Sequence, residues 1–142
     1  MRAFTLIETL IVITIIAVLA GASVPFYSYF QNFSVIESVK QEVLENMRLA
    51  QSKAKAGVND SAFGLYFSGG QYVIYQGDTY AGRDQSQDFV NELPANVVFS
   101  GLAEITFSKN IGQPSNNGTI ILTNTSTNIQ KQIIVNSQGL ID

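Results

Sequence analysis

The sequence predicts an α+β chain: one long N-terminal α-helix, its hydrophobic half free of the head and its amphipathic half packed on it, followed by a mostly antiparallel β-sheet head. Three observations predict this. Residues 4–24 are almost wholly apolar, apolar residues then recur at helical spacing as far as Ala54, and the chain beyond Gly57 reads as short β-rich runs separated by turns. Helix first and strands afterwards is the order of an α+β architecture. At 142 residues there is room for one such domain and little else.

The first element is the apolar run. Its 21 residues, 4–24, would rise about 31 Å as a helix, the thickness of a bilayer's hydrocarbon core. Glu8 is the one acid in it, and no further charge occurs until Glu37. A carboxylate in an apolar helix costs on the order of 2–3 kcal/mol at mid-bilayer and less near an end, so Glu8 calls for a cationic partner. Arg2 lies on the side that the positive-inside rule keeps in the cytoplasm, which places the rest of the chain outside. Three readings compete: a secretory signal peptide cut near Ala20-Gly21-Ala22, a plain anchor, or a segment that loses only its tip and stays as a working helix.

The second element continues the helix. Pro25 is placed to kink or loosen it. Beyond it Ile36, Val39, Val43, Met47, Ala50 and Ala54 make one stripe in steps of three and four. Glu37 with Lys40, and Glu45 with Arg48, are spaced as i,i+3 charge pairs, while Lys53 and Lys55 suit the helix C-terminus. Gly57 is a natural stop, so the helix should run from about Thr5 to Ala56. Phe26, Tyr27, Tyr29, Phe30 and Phe33 read as an interfacial aromatic belt.

The head follows as strands over 62–67, 71–75, 96–99, 104–107, 119–123 and 132–135, the first two joined by a hairpin turn at Ser68-Gly69-Gly70. Residues 77–92 and 109–118 read as long exposed loops, open to a partner or simply solvated. The chain has no His, Cys or Trp, which removes imidazole and thiolate metal sites, Cys nucleophiles and His acid–base pairs. Eight Lys and Arg against eleven Asp and Glu leave no cationic cluster for phosphates, so no nucleic acid is expected. Asp78, Asp84 and Asp88 offer oxygen ligands in one loop, but their spacing is that of no EF-hand and solvated acids are the simpler reading. No metal, cofactor or catalytic residue is expected.

Ala3-Phe4-Thr5-Leu6-Ile7-Glu8, followed by Thr9-Leu10-Ile11-Val12, resembles the processing and methylation motif of type IV prepilins and pseudopilins. The resemblance implies that a prepilin peptidase cuts between Ala3 and Phe4, where the family usually has Gly before the cut, and then N-methylates Phe4. Glu8 becomes the fifth residue of the mature chain. It implies that this carboxylate pairs with the amino terminus of a neighbouring subunit as the helices pack into a filament. On this reading residues 1–3 are a leader, 4–25 the transmembrane and assembly helix, 26–57 its amphipathic continuation and 58–142 the head.

The order of runs in the head is similar to that of the GspH/FimT-like minor pseudopilins: 105–108, a Gly/Asn-rich turn, 119–122, and a closing 133–139. Heads of that family pack two small sheets on the helix, and some members bind DNA through basic C-terminal residues. Here Gly139 is followed by Leu140-Ile141-Asp142, so the DNA-binding role is not carried over. The expected function is that of a structural subunit, a minor one, of a type IV pilus or a type II secretion-like pseudopilus. Its partners would be prepilin peptidase, other pilin or pseudopilin subunits, the inner-membrane assembly platform and the membrane itself. The alternative is a membrane-tethered binding or adhesion module that never polymerises.

Overall fold

The computed structural model describes residues 5–142, without the side chains of residues 22–26. Helix α1 (Leu6–Lys55) is followed by strands β1 (Phe63–Ser68), β2 (Gln71–Gln76), β3 (Phe89–Glu92), β4 (Val97–Gly101), β5 (Glu104–Phe107), β6 (Gly118–Asn124) and β7 (Gln130–Val135). The strands form two sheets, in the orders β3-β2-β1-β5 and β4-β6-β7, and each pairing in them is antiparallel. The α+β architecture is therefore the one expected. Of the residues singled out in the sequence, Arg2, Ala3 and Phe4 lie outside the described residues, as do the side chains of Ala22, Pro25 and Phe26.

At its start α1 is capped by Thr5, whose hydroxyl accepts the Glu8 N–H at 3.4 Å. At its end the chain turns at Gly57, whose φ of 63° suits glycine, with its N–H returned to the Ala54 carbonyl at 3.1 Å. Fifty residues make a rod about 75 Å long. The predicted stripe is buried along its whole length: Ile36, Val43, Met47, Ala50 and Ala54 have no exposure and Val39 has 4%.

Period-two alternation supplies the facing surfaces. Phe63, Leu65 and Phe67 of β1, Ile105 and Phe107 of β5, Ile120 and Leu122 of β6, and Ile133 and Val135 of β7 all turn inward and join the helix stripe in one core. The β1–β2 turn consists of Gly69 and Gly70, both at positive φ (54° and 88°), as a two-residue hairpin of right-handed twist requires.

Two expectations are corrected. Residues 77–92 do not form an open loop. They hold a short 3-10 turn (Gln85–Gln87) and end in β3, whose strand character comes from pairing with β2 and not from its own pattern. The rest of the segment is pinned over the outer face of β1 and β2. Tyr80 stacks on Tyr66 with ring centres 3.9 Å apart, and the Arg83 guanidinium lies 3.7 Å over Tyr80. Arg83 also donates to Asp88 at 2.8 Å and to the Tyr80 carbonyl at 2.7 Å. Glu104 accepts from the Tyr80 N–H (2.8 Å) and from the Tyr75 hydroxyl (2.9 Å), and burial pushes that hydroxyl's pKa up. Two of the three loop acids are thus occupied within the chain: Asp88 by Arg83, and Asp84 by the Ser86 hydroxyl and N–H, which hold its carboxyl below the usual range, while Asp78 is exposed.

Residues 109–118 form a largely exposed loop, as expected, and it is tied down at two points. The Asn110 N–H reaches the Ala54 carbonyl at 2.8 Å, and one Gln51 amide nitrogen donates to both Gly112 O (3.0 Å) and Gly139 O (2.8 Å). This ties the loop and the C-terminal turn to the last turns of α1.

The second correction concerns charge. Neither Glu37 with Lys40 nor Glu45 with Arg48 closes as an ion pair. Glu37 instead meets Lys131 of β7 at 2.6 Å, and Arg48 donates to the Ile141 carbonyl at 3.2 Å. Lys131 also sits over the Phe33 ring, 4.5 Å from its centre, so a cation–π contact adds to the attraction of this partner. The hydrogen bond from Lys131 is the main cause that lowers the Glu37 pKa. A depressed carboxyl contributes stability above its unfolded pKa and loses it as pH falls through the folded one. The difference in unfolding midpoint between the native chain and Glu37→Gln should therefore vanish between about pH 5 and pH 3, with a plateau under about 1 kcal/mol because the pair is partly solvated. Urea titrations across that range measure it.

Candidate assembly surface

The front half of α1 has nothing of the head against it. Every described side chain from Thr5 to Gly21 is exposed, including Leu6 (84%), Ile7 (67%), Val18 (66%) and Leu19 (65%). Apolar residues cover this cylinder all round, without a polar face, which is the pattern of a helix meant for apolar surroundings on every side. Beyond the Thr5 cap, the hydroxyl groups of Thr9 and Thr14 are satisfied by the helix itself: Thr9 donates to the Thr5 carbonyl at 3.3 Å and Thr14 to the Leu10 carbonyl at 2.8 Å. Neither needs water or a partner in order to sit in an apolar medium.

Glu8 is the exception. It stands on the first turn of α1, exposed, with no ion pair to any described residue. Its position is favourable to an anion, because the free N–H groups of a helix N-terminus carry a partial positive charge. That effect is worth well under the cost of holding a carboxylate in hydrocarbon, so the demand for a cation persists. Among the described residues no helix is long and apolar enough to cross a membrane. The span expected from the sequence, 4–25, includes residues outside the described ones.

The boundary between the projecting half and the braced half is marked by three carboxamides that sequence reasoning missed. Asn32 on α1 donates to the Ser28 carbonyl at 2.9 Å. Its side-chain oxygen accepts from Asn96, just ahead of β4, and from Asn124, at the end of β6, each at 3.3 Å. Asn124 is fully buried, and its own oxygen receives the N–H groups of Ser126 (2.9 Å) and Thr127 (3.2 Å). One end of the head is thereby clasped to the helix. A second hidden contact lies further up, where the buried Tyr72 hydroxyl donates to Glu42 at 2.8 Å and accepts from Asn46 at 2.7 Å. Polar residues scattered through a polar stretch carry no period, and so nothing in the sequence singled these out.

Of the aromatic run, Tyr27 (71%), Tyr29 (60%), Phe30 (69%) and Phe33 (40%) are exposed. Among the described residues there is no group of three or more His, Cys, Asp and Glu able to hold a metal ion.

The comparisons address the N-terminus. A family model described as the prokaryotic N-terminal methylation motif matches residues 1–24. No curated protein and no solved structure matches the chain. The match covers Ala3, Phe4 and Glu8 and the start of the exposed helix. The chain carries the N-terminal signature of a type IV pilin-like prepilin.

Proposed function

We propose that the chain is a structural subunit, a minor one, of a type IV pilus or a type II secretion-like pseudopilus, cleaved by prepilin peptidase between Ala3 and Phe4 and assembled through α1. The observation that carries this reading is the coincidence of two things in one stretch. The methylation motif covers residues 1–24, and the same stretch supplies a helix that is apolar on all sides and bears one carboxylate, Glu8.

Cleavage would create an ammonium on Phe4. Opposite charges brought together in a low-dielectric setting attract by several kcal/mol, and each lowers the other's desolvation cost. The Phe4 amino group of one subunit and Glu8 of the next are such a pair, and their union draws the two apolar helices together. Before assembly the same helix holds the subunit in the inner membrane as a single pass. Arg2 stays on the cytoplasmic side and the head outside, where it meets other pilin or pseudopilin subunits and the assembly platform. The division into leader 1–3, assembly helix 4–25, amphipathic helix 26–57 and head 58–142 follows from this use. Two small antiparallel sheets on one helix support a head of the GspH/FimT-like minor pseudopilin kind. The subunit's role is structural and not catalytic.

Mass spectrometry of the native protein tests the reading directly. The mature chain should begin at an N-methylated Phe4. A chain that keeps Met1, or one that begins at Ser23, would remove the basis for filament assembly.

A further inference from the structure

Two sheets present four edges, and the chain covers them unequally. At β5 the Ser115 N–H donates to the Thr106 carbonyl (2.7 Å), the Ser115 hydroxyl accepts the Thr106 N–H (3.1 Å), and Pro114 bridges to Phe107. At β7 the main chain of Asp142 exchanges both hydrogen bonds with Ile134, at 2.7 and 3.1 Å. Edge β4 looks onto a groove that it shares with the chain's own Gly69–Gly70 turn and Pro94. Edge β3 has no such cover among the described residues.

The register fixes what β3 offers. Leu93 N–H donates to the Gly70 carbonyl at 2.8 Å, and in an antiparallel ladder bonded and non-bonded pairs alternate. Asn91 and Phe89 therefore bond to β2, while the N–H and C=O groups of Val90 and Glu92 point away from the sheet. Two donor–acceptor sets on alternate residues of an extended strand match the main chain of another extended strand. Phe89 (62%) and Val90 (52%) are exposed beside them, and Glu92 is the strand's one charge. Natural edges are usually blunted by short length, charge, Pro or a bulge; β3 is four residues long and carries Glu92 at its end, but has no Lys, Pro or bulge.

A groove of about 390 Å³ runs between β3 and α1, where Leu49, Phe63, Ile74 and Phe89 give it apolar walls. Two charged residues line it. Asp88 is engaged by Arg83, whereas Lys53 makes no ion pair and lies 5.8 Å from the centre of the Phe63 ring. The groove thus carries one unbalanced positive charge.

From this edge, groove and cation we infer that β3 is a strand-addition site for an extended segment of another polypeptide. That segment would bear an apolar side chain for the groove and a carboxylate for Lys53. Main-chain bonds to Val90 and Glu92 supply the affinity, while the groove and Lys53 set the specificity. This site lies on the head and the last turns of α1, away from the projecting half of the helix that carries Glu8.

The test uses the full chain in detergent micelles and a fluorescent acetylated hexapeptide of alternating Thr and Val that ends in Glu, read by anisotropy. Saturable binding is expected. It should weaken at least tenfold in Val90→Pro, which removes the outward N–H at an edge position where proline is tolerated, and in Val90→Lys, which guards the edge with a charge. Lys53→Gln should weaken the Glu-ending peptide severalfold and leave the same peptide ending in Gln unchanged. Two results would overturn the inference. One is no saturable binding to the native chain. The other is undiminished binding to whichever of the two Val90 variants keeps the native circular dichroism spectrum.

Discussion

Glu8→Val is expected to yield a protein that is cleaved, methylated and held in the membrane, yet absent from filaments. The substitution leaves Ala3, Phe4 and the apolar character of the helix in place, so the peptidase and the bilayer meet the same segment. What it removes is the only charge between residues 5 and 36. Without that carboxylate, an incoming ammonium at Phe4 enters an apolar filament core with no counterion, which costs several kcal/mol in place of a gain. Each 1.4 kcal/mol is a factor of ten in an equilibrium, so incorporation should fall by at least ten- to a hundredfold. Glu8→Gln keeps the shape of the side chain and should fail almost as badly, because shape is not what the ammonium requires. Immunoblots of sheared filaments against washed membranes measure both. Incorporation of either variant at the native level would rule out the pairing.

Asn124→Ala is expected to loosen the head from the helix. The side chain is fully buried, its oxygen holds the Ser126 and Thr127 N–H groups, and its amide donates to the Asn32 oxygen. Truncation takes this partner from the Ser126 and Thr127 N–H groups and from the Asn32 oxygen at a partly buried junction. The penalty for buried polar groups left unpaired is about 1–3 kcal/mol each, with some relief from local relaxation. A net loss of about 3 kcal/mol lowers the melting temperature by about 10 °C. Asn124→Asp keeps the oxygen that holds the turn and loses the amide donor to Asn32, so it should fall between the two. Thermal melts of the full chain in detergent, followed through the tyrosine signal in near-ultraviolet circular dichroism, order the three proteins. A native melting temperature for Asn124→Ala would show that the clasp carries no load.

The elements that proved legible in the sequence are those with a period. The stripe from Ile36 to Ala54 repeats at 3.6 because one side of α1 faces the core, and each member is buried. Strands β1, β2, β6 and β7 were placed to within about two residues, because alternate residues such as Ile120 and Leu122 face that core. Strand β3 was not legible. Its four residues Phe89–Glu92 have one half-buried position and exist as a strand only because β2 lies beside them. The partner of Glu37 was misplaced for a related reason. Spacing along a helix favours Lys40, whereas Lys131 arrives from 94 positions later in the chain, carried there by the packing of β7 on α1. At the assembly surface, Glu8 stood out because a lone acid in an apolar run breaks a pattern. The carboxamide clasp broke none, since Asn32, Asn96 and Asn124 are three among many polar residues.

The lengthwise fit of α1 against the head has a mechanical side. Ile36, Val39, Val43, Met47, Ala50 and Ala54 meet the sheets over about 27 Å measured along the helix axis. A tug on the lower end of the rod acts parallel to this seam. It strains all six contacts together with the Asn32 clasp, much as a glued lap joint shares its load, and does not peel them apart one by one. A head mounted in this way is built to withstand tension along the rod, and it would give way far more readily to a sideways pull that begins at the clasp.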